Sequence, residues 1–241
     1  MLTILLPCFN ESQCLARLEG ELFPSLENLS LNREKRDGVS RGSGVEVLAV
    51  DDGSTDGTGE LLREMASRRP SMRVLVHPRN RGIGASIKTG LAEARGEWLV
   101  PLDADLTFHP RHIASLLAAQ RESGADCVCG SPFLGGMAEV PWPRRLPSLA
   151  MNALYRALFD AGLTSYTPMF RLYRVSALKS IAIRSDGFEV SAEILVRLLK
   201  AGFKAAEIPV PLTSRQAGES KLRRVRELQA PAPVAGGGGQ P

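Results

Sequence analysis

Long hydrophobic runs are missing from this 241-residue chain. The longest, Leu2–Leu6 and Val45–Val50, have the length of strands and fall well short of the roughly 18 to 20 apolar residues that cross a bilayer, so no transmembrane helix is expected. A basic leader is missing too. The first apolar run stops ahead of Pro7, Cys8 and Asn10, which argues against a secretory signal and for a cytoplasmic location. Cysteine is scarce: Cys8, Cys14, Cys127 and Cys129 make no C-x-x-C pair, which leaves the common zinc and redox motifs unsupported and fits small buried hydrophobes in a reducing compartment. Arg and Lys are scattered without interleaved aromatics, so no nucleic-acid partner is expected. No internal repeat is visible.

What is present is enough apolar residue, 44% of the chain, to bury a core of one large α/β domain. We place that single domain at residues 1–228. The tail 229–241, made of Ala, Pro and Gly with few core formers, is expected to be disordered. Charge is divided unevenly. Residues 1–130 carry 15 Lys and Arg against 18 Asp and Glu, whereas residues 131–241 carry 15 against 8. An acidic half suited to a cation thus precedes a basic half suited to phosphate or an anionic membrane, unless the division is chance.

Short apolar runs alternate with amphipathic stretches, which predicts β-α-β units and a mainly parallel sheet with helices on both faces. Strands are expected at 2–6, 45–50, 73–77, 97–102, 126–130, 170–173 and 205–210, and helices at 12–29, 59–69, 85–94, 110–122 and 189–201. Asn32–Gly44 reads as a polar surface loop, as does 131–147. Ser54, Thr55 and Asp56 offer N-cap side chains to the helix after the second strand. Residues 146–159 have helical spacing of Leu149, Ala150, Ala153, Leu154, Ala157 and Leu158 behind Trp142, Arg144 and Arg145, a pattern that suits either an interfacial helix at a membrane or ordinary core packing.

Three acidic groups, Asn10-Glu11, Asp51-Asp52 and Asp103-x-Asp105, each stand at the carboxyl end of a predicted strand. In open α/β sheets the ligand crevice lies outside those ends, so the three loops should converge on one site. Two carboxylates spaced i, i+2 at a strand exit can hold a hard cation and leave positions for substrate phosphates. Taken singly, each motif serves equally well as a turn or helix cap. Arg79-Asn80-x-Gly82-x-Gly84 follows a Pro-containing loop and lacks the strand–turn–helix setting of a dinucleotide fingerprint, which sets aside an oxidoreductase. A nucleotidyltransferase would need a Gly-rich basic loop where Pro7–Glu11 stands.

The ordered motifs Leu5-Leu6-Pro7-Cys8-Phe9-Asn10-Glu11, Val50-Asp51-Asp52-Gly53-Ser54-Thr55-Asp56-Gly57-Thr58, Asn80-Arg81-Gly82 and Asp103-Ala104-Asp105-Leu106 resemble family 2 glycosyltransferases of the GT-A fold. Phe170-Arg171-Leu172-Tyr173-Arg174, Asp186-Gly187-Phe188-Glu189 and Arg215-Gln216-Ala217-Gly218-Glu219-Ser220-Lys221 are similar to the dolichyl- and polyprenyl-phosphate sugar synthases, and the likeness runs from residue 2 to about 224. The resemblance implies a sugar moved, with inversion, from a nucleoside diphosphate sugar, GDP- or UDP-linked, to a lipid phosphate. It implies Pro7, Phe9, Glu11, Val50 and Asp52 around base and ribose. Asp103 and Asp105 would hold Mg²⁺ or Mn²⁺, with Thr107 as a further ligand source and the Ala104 backbone near the diphosphate. Arg215 and Lys221 would clamp phosphates, a task that suits their donors; by themselves they read as a solvated charge pair.

An ionised lipid phosphate needs no strong base, so none is assigned. A sugar-hydroxyl acceptor would need one, with Asp186 or Glu189 as candidates, although both read better as a loop and helix-cap pair. Pro132 stands where the synthases usually carry Arg. With the end of the sequence soon after Arg223–Arg226, it leaves open a nucleotide-sugar binding module without turnover. The expected place of work is the cytoplasm, peripherally on the inner face of the cell membrane.

Overall fold

The computed structural model describes residues 1–37 (backbone only for 31–37), 44–136 and 162–212, together with Leu149, 151–153, Tyr155, Arg156 and Phe159. Its elements run β1 (Leu2–Cys8), α1 (Ser12–Asp37), β2 (Val45–Asp51), α2 (Thr58–Arg68), β3 (Met72–Val76), α3 (Ile83–Glu93) and β4 (Trp98–Pro101). A 3-10 turn at Pro110–His112 leads into α4 (Ile113–Ser123), β5 (Cys127–Ser131), α5 (Pro132–Gly135), β6 (Arg171–Arg174), α6 (Val175–Ser180), α7 (Val190–Lys200) and β7 (Ala205–Pro209). The seven strands form one sheet in the order β3-β2-β1-β4-β6-β5-β7.

Only β6 runs against its neighbours β4 and β5; every other pairing is parallel. All strands but β6 therefore deliver their carboxyl ends to the same edge. β1 is buried along its whole length, as a central parallel strand covered on both faces must be. Its side chains alternate between two layers. Leu2, Ile4, Leu6 and Cys8 pack with Leu15, Leu18 and Leu22 of α1 and Leu116 of α4. Leu5 packs on the other side with Ile87 and Leu91 of α3 and Ile194, Leu195 and Leu198 of α7. Each such Leu contributes about 1.5–3 kcal/mol by leaving water.

The opposite edge is closed by Glu46, which accepts Thr3 Oγ1 (2.6 Å), the Arg95 N–H (2.7 Å) and an Arg73 guanidinium N–H (3.2 Å). Burial alone would raise its pKa, but these donors outweigh it and hold the carboxyl below its ordinary range. Arg171 is buried as well, its guanidinium donating to the carbonyls of Tyr166 (2.7 Å) and Ser191. That ties the 163–169 segment to α7.

Element types match the sequence reading apart from the unexpected helix α6 and three further differences. α1 continues to Asp37, through part of the expected surface loop, because Arg33, Glu34, Lys35 and Arg36 are good helix formers. The loop expected from Ser131 opens instead with α5, whose Pro132 takes the first turn, where no backbone N–H is required. The helix after β2 is capped by neither Ser54 nor Thr55: Gly57, with φ of 88°, occupies the cap position. Asp56 still serves, accepting the Thr58 N–H at 3.1 Å. The four cysteines are buried and none is in a disulfide, as expected of small hydrophobes.

Candidate active site at the carboxyl edge

The exit loops of β1 and β2 are sewn together by side chains meeting backbone. The Asn10 N–H donates to Ser54 Oγ (3.0 Å) and the Thr55 N–H donates to Asn10 Oδ1 (2.8 Å). The Glu11 N–H donates to Thr58 Oγ1 (2.8 Å), and the Ser12 N–H to Asp56 Oδ2 (3.1 Å). Asn10 achieves this in the left-handed region, φ 53°, which Asn tolerates better than most residues. Asp56 receives so many donors that its pKa falls despite the burial that opposes it.

Asp52 is buried and turned toward the β3–α3 loop. Its Oδ1 lies 2.6 Å from His77 Nδ1 and accepts the Arg81 N–H (3.0 Å), while Oδ2 accepts the Gly82 N–H (2.8 Å). His77 passes the constraint on through Nε2 to Thr89 Oγ1 at 2.9 Å. A third loop is thereby locked to the first two. Gly53 completes the lock: with φ of 72°, it lies so close to Arg79 that a Cβ would come within 2.6 Å of that residue's Cα.

The Asp103–Thr107 turn follows β4. The Leu102 N–H donates to the Leu5 carbonyl (2.9 Å), which seats the turn beside β1. Leu106 has φ of 55°, a costly conformation for Leu, stabilised here by its complete burial. With Leu106 and Ala104 buried, Asp103 and Asp105 are left half-buried on the turn. Thr107 donates to Asp105 Oδ1 from both its N–H (3.0 Å) and its hydroxyl (2.7 Å), fixing that carboxylate's direction. Phe108 then stacks on Phe170 at 5.2 Å, and the Gly130 N–H donates to the Phe170 carbonyl (3.1 Å). The turn is so linked to the end of β5.

Among the described residues no three His, Cys, Asp or Glu side chains gather into a metal cage. Two carboxylates on a rigid turn at the sheet edge are the donor set that suits Mg²⁺ or Mn²⁺ shared with phosphate oxygens and water. The chemistry of the turn therefore fits a divalent cation.

The other expected site residues fall variously. Pro7 and Val50 are register partners, fully inside the sheet, so they offer the crevice backbone alone. Phe9 is half-buried and Glu11 buried. Arg215, Lys221, Trp142, Arg144, Arg145 and the tail lie outside the described residues. Asp186 pairs with Lys88 at 2.7 Å, and the cation lowers its pKa, which weakens it as a base. Glu189 accepts the Gly187 N–H (3.3 Å). Both behave as loop and cap residues. In the 149–159 stretch, Tyr155 stacks on Tyr166 (5.5 Å) and Asn152 Nδ2 donates to Thr167 Oγ1 (3.1 Å), so one face packs inward, while Met151 is exposed.

Sequence reasoning missed His77 and a cluster beside β5, where Ser131 Oγ meets Thr164 Oγ1 (2.8 Å) and Glu207 Oε2 accepts Thr164 N–H (2.8 Å) and Oγ1 (2.9 Å). The position of Ser131 at a strand's carboxyl end was the available signal.

Residues 3–182 match the family model described as Glycosyl transferase family 2. The chain is 33% identical over 230 residues to a Micrococcus luteus protein named undecaprenyl-phosphate mannosyltransferase, covering 92% of this chain and 87% of the relative. Among solved structures it resembles glucosyl-3-phosphoglycerate synthase from Mycobacterium tuberculosis, crystallised with Mn²⁺, uridine diphosphate and glucosyl-3-phosphoglycerate. The TM-score is 0.65 at 17% identity, over 94% of this chain and 75% of that one. It also resembles the mannosyltransferase PcManGT from Pyrobaculum calidifontis in complex with GDP-Man and Mn²⁺, with a TM-score of 0.60 at 20% identity, over 95% of this chain and 61% of that one. These likenesses show the fold, a mostly parallel GT-A sheet flanked by helices.

Proposed function

We propose, since this chain belongs to glycosyl transferase family 2, that its carboxyl-edge crevice moves a sugar from a nucleoside diphosphate to a polyprenyl phosphate with inversion. The observation that carries the reading is the locking of three strand-exit loops, through Asn10, Ser54, Thr58 and Asp52, beside the Asp103–Thr107 turn. The 33% identical relative, matched over most of both chains, supports a polyprenyl phosphate acceptor and mannose as the sugar. The nucleotide is GDP or UDP.

Asp103 and Asp105 are the residues that would hold Mg²⁺ or Mn²⁺, with Thr107 fixing or joining them. A bound divalent cation would supply charge neutralisation for the departing diphosphate. The protein's own part is placement. Phe9, Glu11, Asp52 and the backbone at Pro7 and Val50 border the base and ribose, and the Ala104 backbone borders the diphosphate. Arg215 and Lys221 grip phosphate oxygens. A lipid phosphate is ionised at neutral pH, so the acceptor oxygen attacks without a protein base, and orientation supplies most of the rate. The reaction takes place at the membrane surface, where the lipid acceptor resides; no described helix is long and apolar enough to cross it.

The test is transfer of labelled sugar from GDP-mannose, UDP-glucose or UDP-N-acetylglucosamine to detergent-dispersed polyprenyl phosphate with Mn²⁺. A lipid-linked product that vanishes on chelation is expected. No transfer from any donor, or equal transfer to a free sugar, defeats the proposal.

A further inference from the structure

Phe188 is 63% exposed, the most exposed large hydrophobic side chain among the described residues, yet the backbone that carries it is pinned. Glu193 accepts the N–H groups of Arg184 (3.0 Å) and Ser185 (2.8 Å), and the Asp186 carbonyl accepts the Gly84 N–H (2.7 Å). Lys88 reaches the Arg184 carbonyl at 3.3 Å and the Asp186 carboxylate at 2.7 Å. An aromatic ring kept in water on a fixed loop forgoes hydrophobic free energy that only an outside surface can restore.

The charges around it choose that surface. The 182–189 loop rests on Gly82 and Gly84, where any Cβ would strike the backbone of Ser185 and Asp186. Phe188 is therefore carried beside the β3–α3 loop, with its exposed Arg79 and Arg81 and the 53% exposed Val76 leading into it. Arg184 is exposed on the loop itself. Of the local acids, Asp186 pairs with Lys88 and also feels the charge of Arg81, and Glu189 accepts the Gly187 N–H, so the basic side chains still outnumber the acids on this rim. Among the described residues no carboxylate stands at ion-pair distance from Arg79, Arg81 or Arg184. Aromatic and basic side chains together suit the headgroup region of an anionic bilayer.

We propose that this rim docks the protein on an anionic phospholipid surface, with Phe188 entering the headgroup–acyl boundary and Arg79, Arg81 and Arg184 meeting lipid phosphates. The inference rests on the reading that the acceptor is a lipid phosphate. Asp52 holds the Arg81 and Gly82 N–H groups, so the rim borders the crevice to which that lipid must be delivered.

Co-sedimentation of the full chain with vesicles of equal phosphatidylglycerol and phosphatidylcholine, set against pure phosphatidylcholine, tests it. Binding only to the anionic vesicles is expected, and it should be lost in about 0.5 M salt. Phe188→Ser should weaken binding about tenfold and Arg184→Ala about fivefold. Both variants should keep the wild-type melting temperature and the transfer rate to detergent-dispersed polyprenyl phosphate. Wild-type protein that ignores anionic vesicles overturns the inference, as do variants that sediment like wild type. Protein that sediments as expected yet glycosylates no polyprenyl phosphate overturns the functional reading and leaves the docking surface standing.

Discussion

On the proposed reading Asp105 is the side chain to test first, because two bonds from Thr107 fix one of its oxygens and the buried Leu106 beside it sets the turn. Asp105→Asn keeps the shape and removes the charge. It should lower kcat/KM about 100-fold or more while leaving the melting temperature near wild type, measured by initial rates with saturating Mn²⁺. Activity within threefold of wild type would remove Asp105 from the metal turn. The sequence displayed Asp103 and Asp105 because a carboxylate pair directly after an apolar run is a local signal. It could not display that Asp52 faces His77 and the Arg81-Gly82 backbone, since those partners lie 25 to 30 residues away along the chain. Nor could it show that the Val50 side chain belongs wholly to the core.

At the level of elements, the 182–189 loop depends on Glu193 in the first turn of α7. Burial pushes that carboxyl up, but the N–H groups of Ser185 and Arg184 and the Arg197 guanidinium prevail and bring it down to about 2 from an ordinary 4.5. The folded protein thus binds fewer protons at this group than the unfolded chain. Its stabilisation is complete above about pH 5 and is lost as the pH falls toward 2. Glu193→Gln should cost about 1–2 kcal/mol at pH 7 and converge with wild type near pH 2, by calorimetry across that range. A gap that stays constant with pH would mean packing, not charge, is at stake. The strands were readable because β1, β2 and β4 are short, mainly apolar runs, broken only at Thr3 and Glu46 and closed by Pro or Asp. The antiparallel sense of β6 was not, because direction is decided by the long connection that precedes a strand and leaves no mark in its four residues. The short helices α5 and α6 were missed for a related reason: segments of 4 and 6 residues give no periodicity to read.

For the molecule as a whole, donor and cation should on the proposed reading bind as one unit, since the turn would supply carboxylates and the diphosphate would supply further oxygens. GDP-mannose with Mn²⁺ at about a hundred times its dissociation constant should raise the melting temperature by about 5 to 10 °C. Chelator should abolish that rise. A shift that survives chelation would separate nucleotide binding from the metal. One further consequence follows from six strands pointing the same way. The rim where Glu46 gathers Thr3, Arg73 and Arg95 lies at the end of the sheet opposite the exit loops of β1, β2 and β4, so stabilising substitutions, fluorophores or surface tethers placed there should leave turnover intact. The protein has, in effect, a working end and a handle.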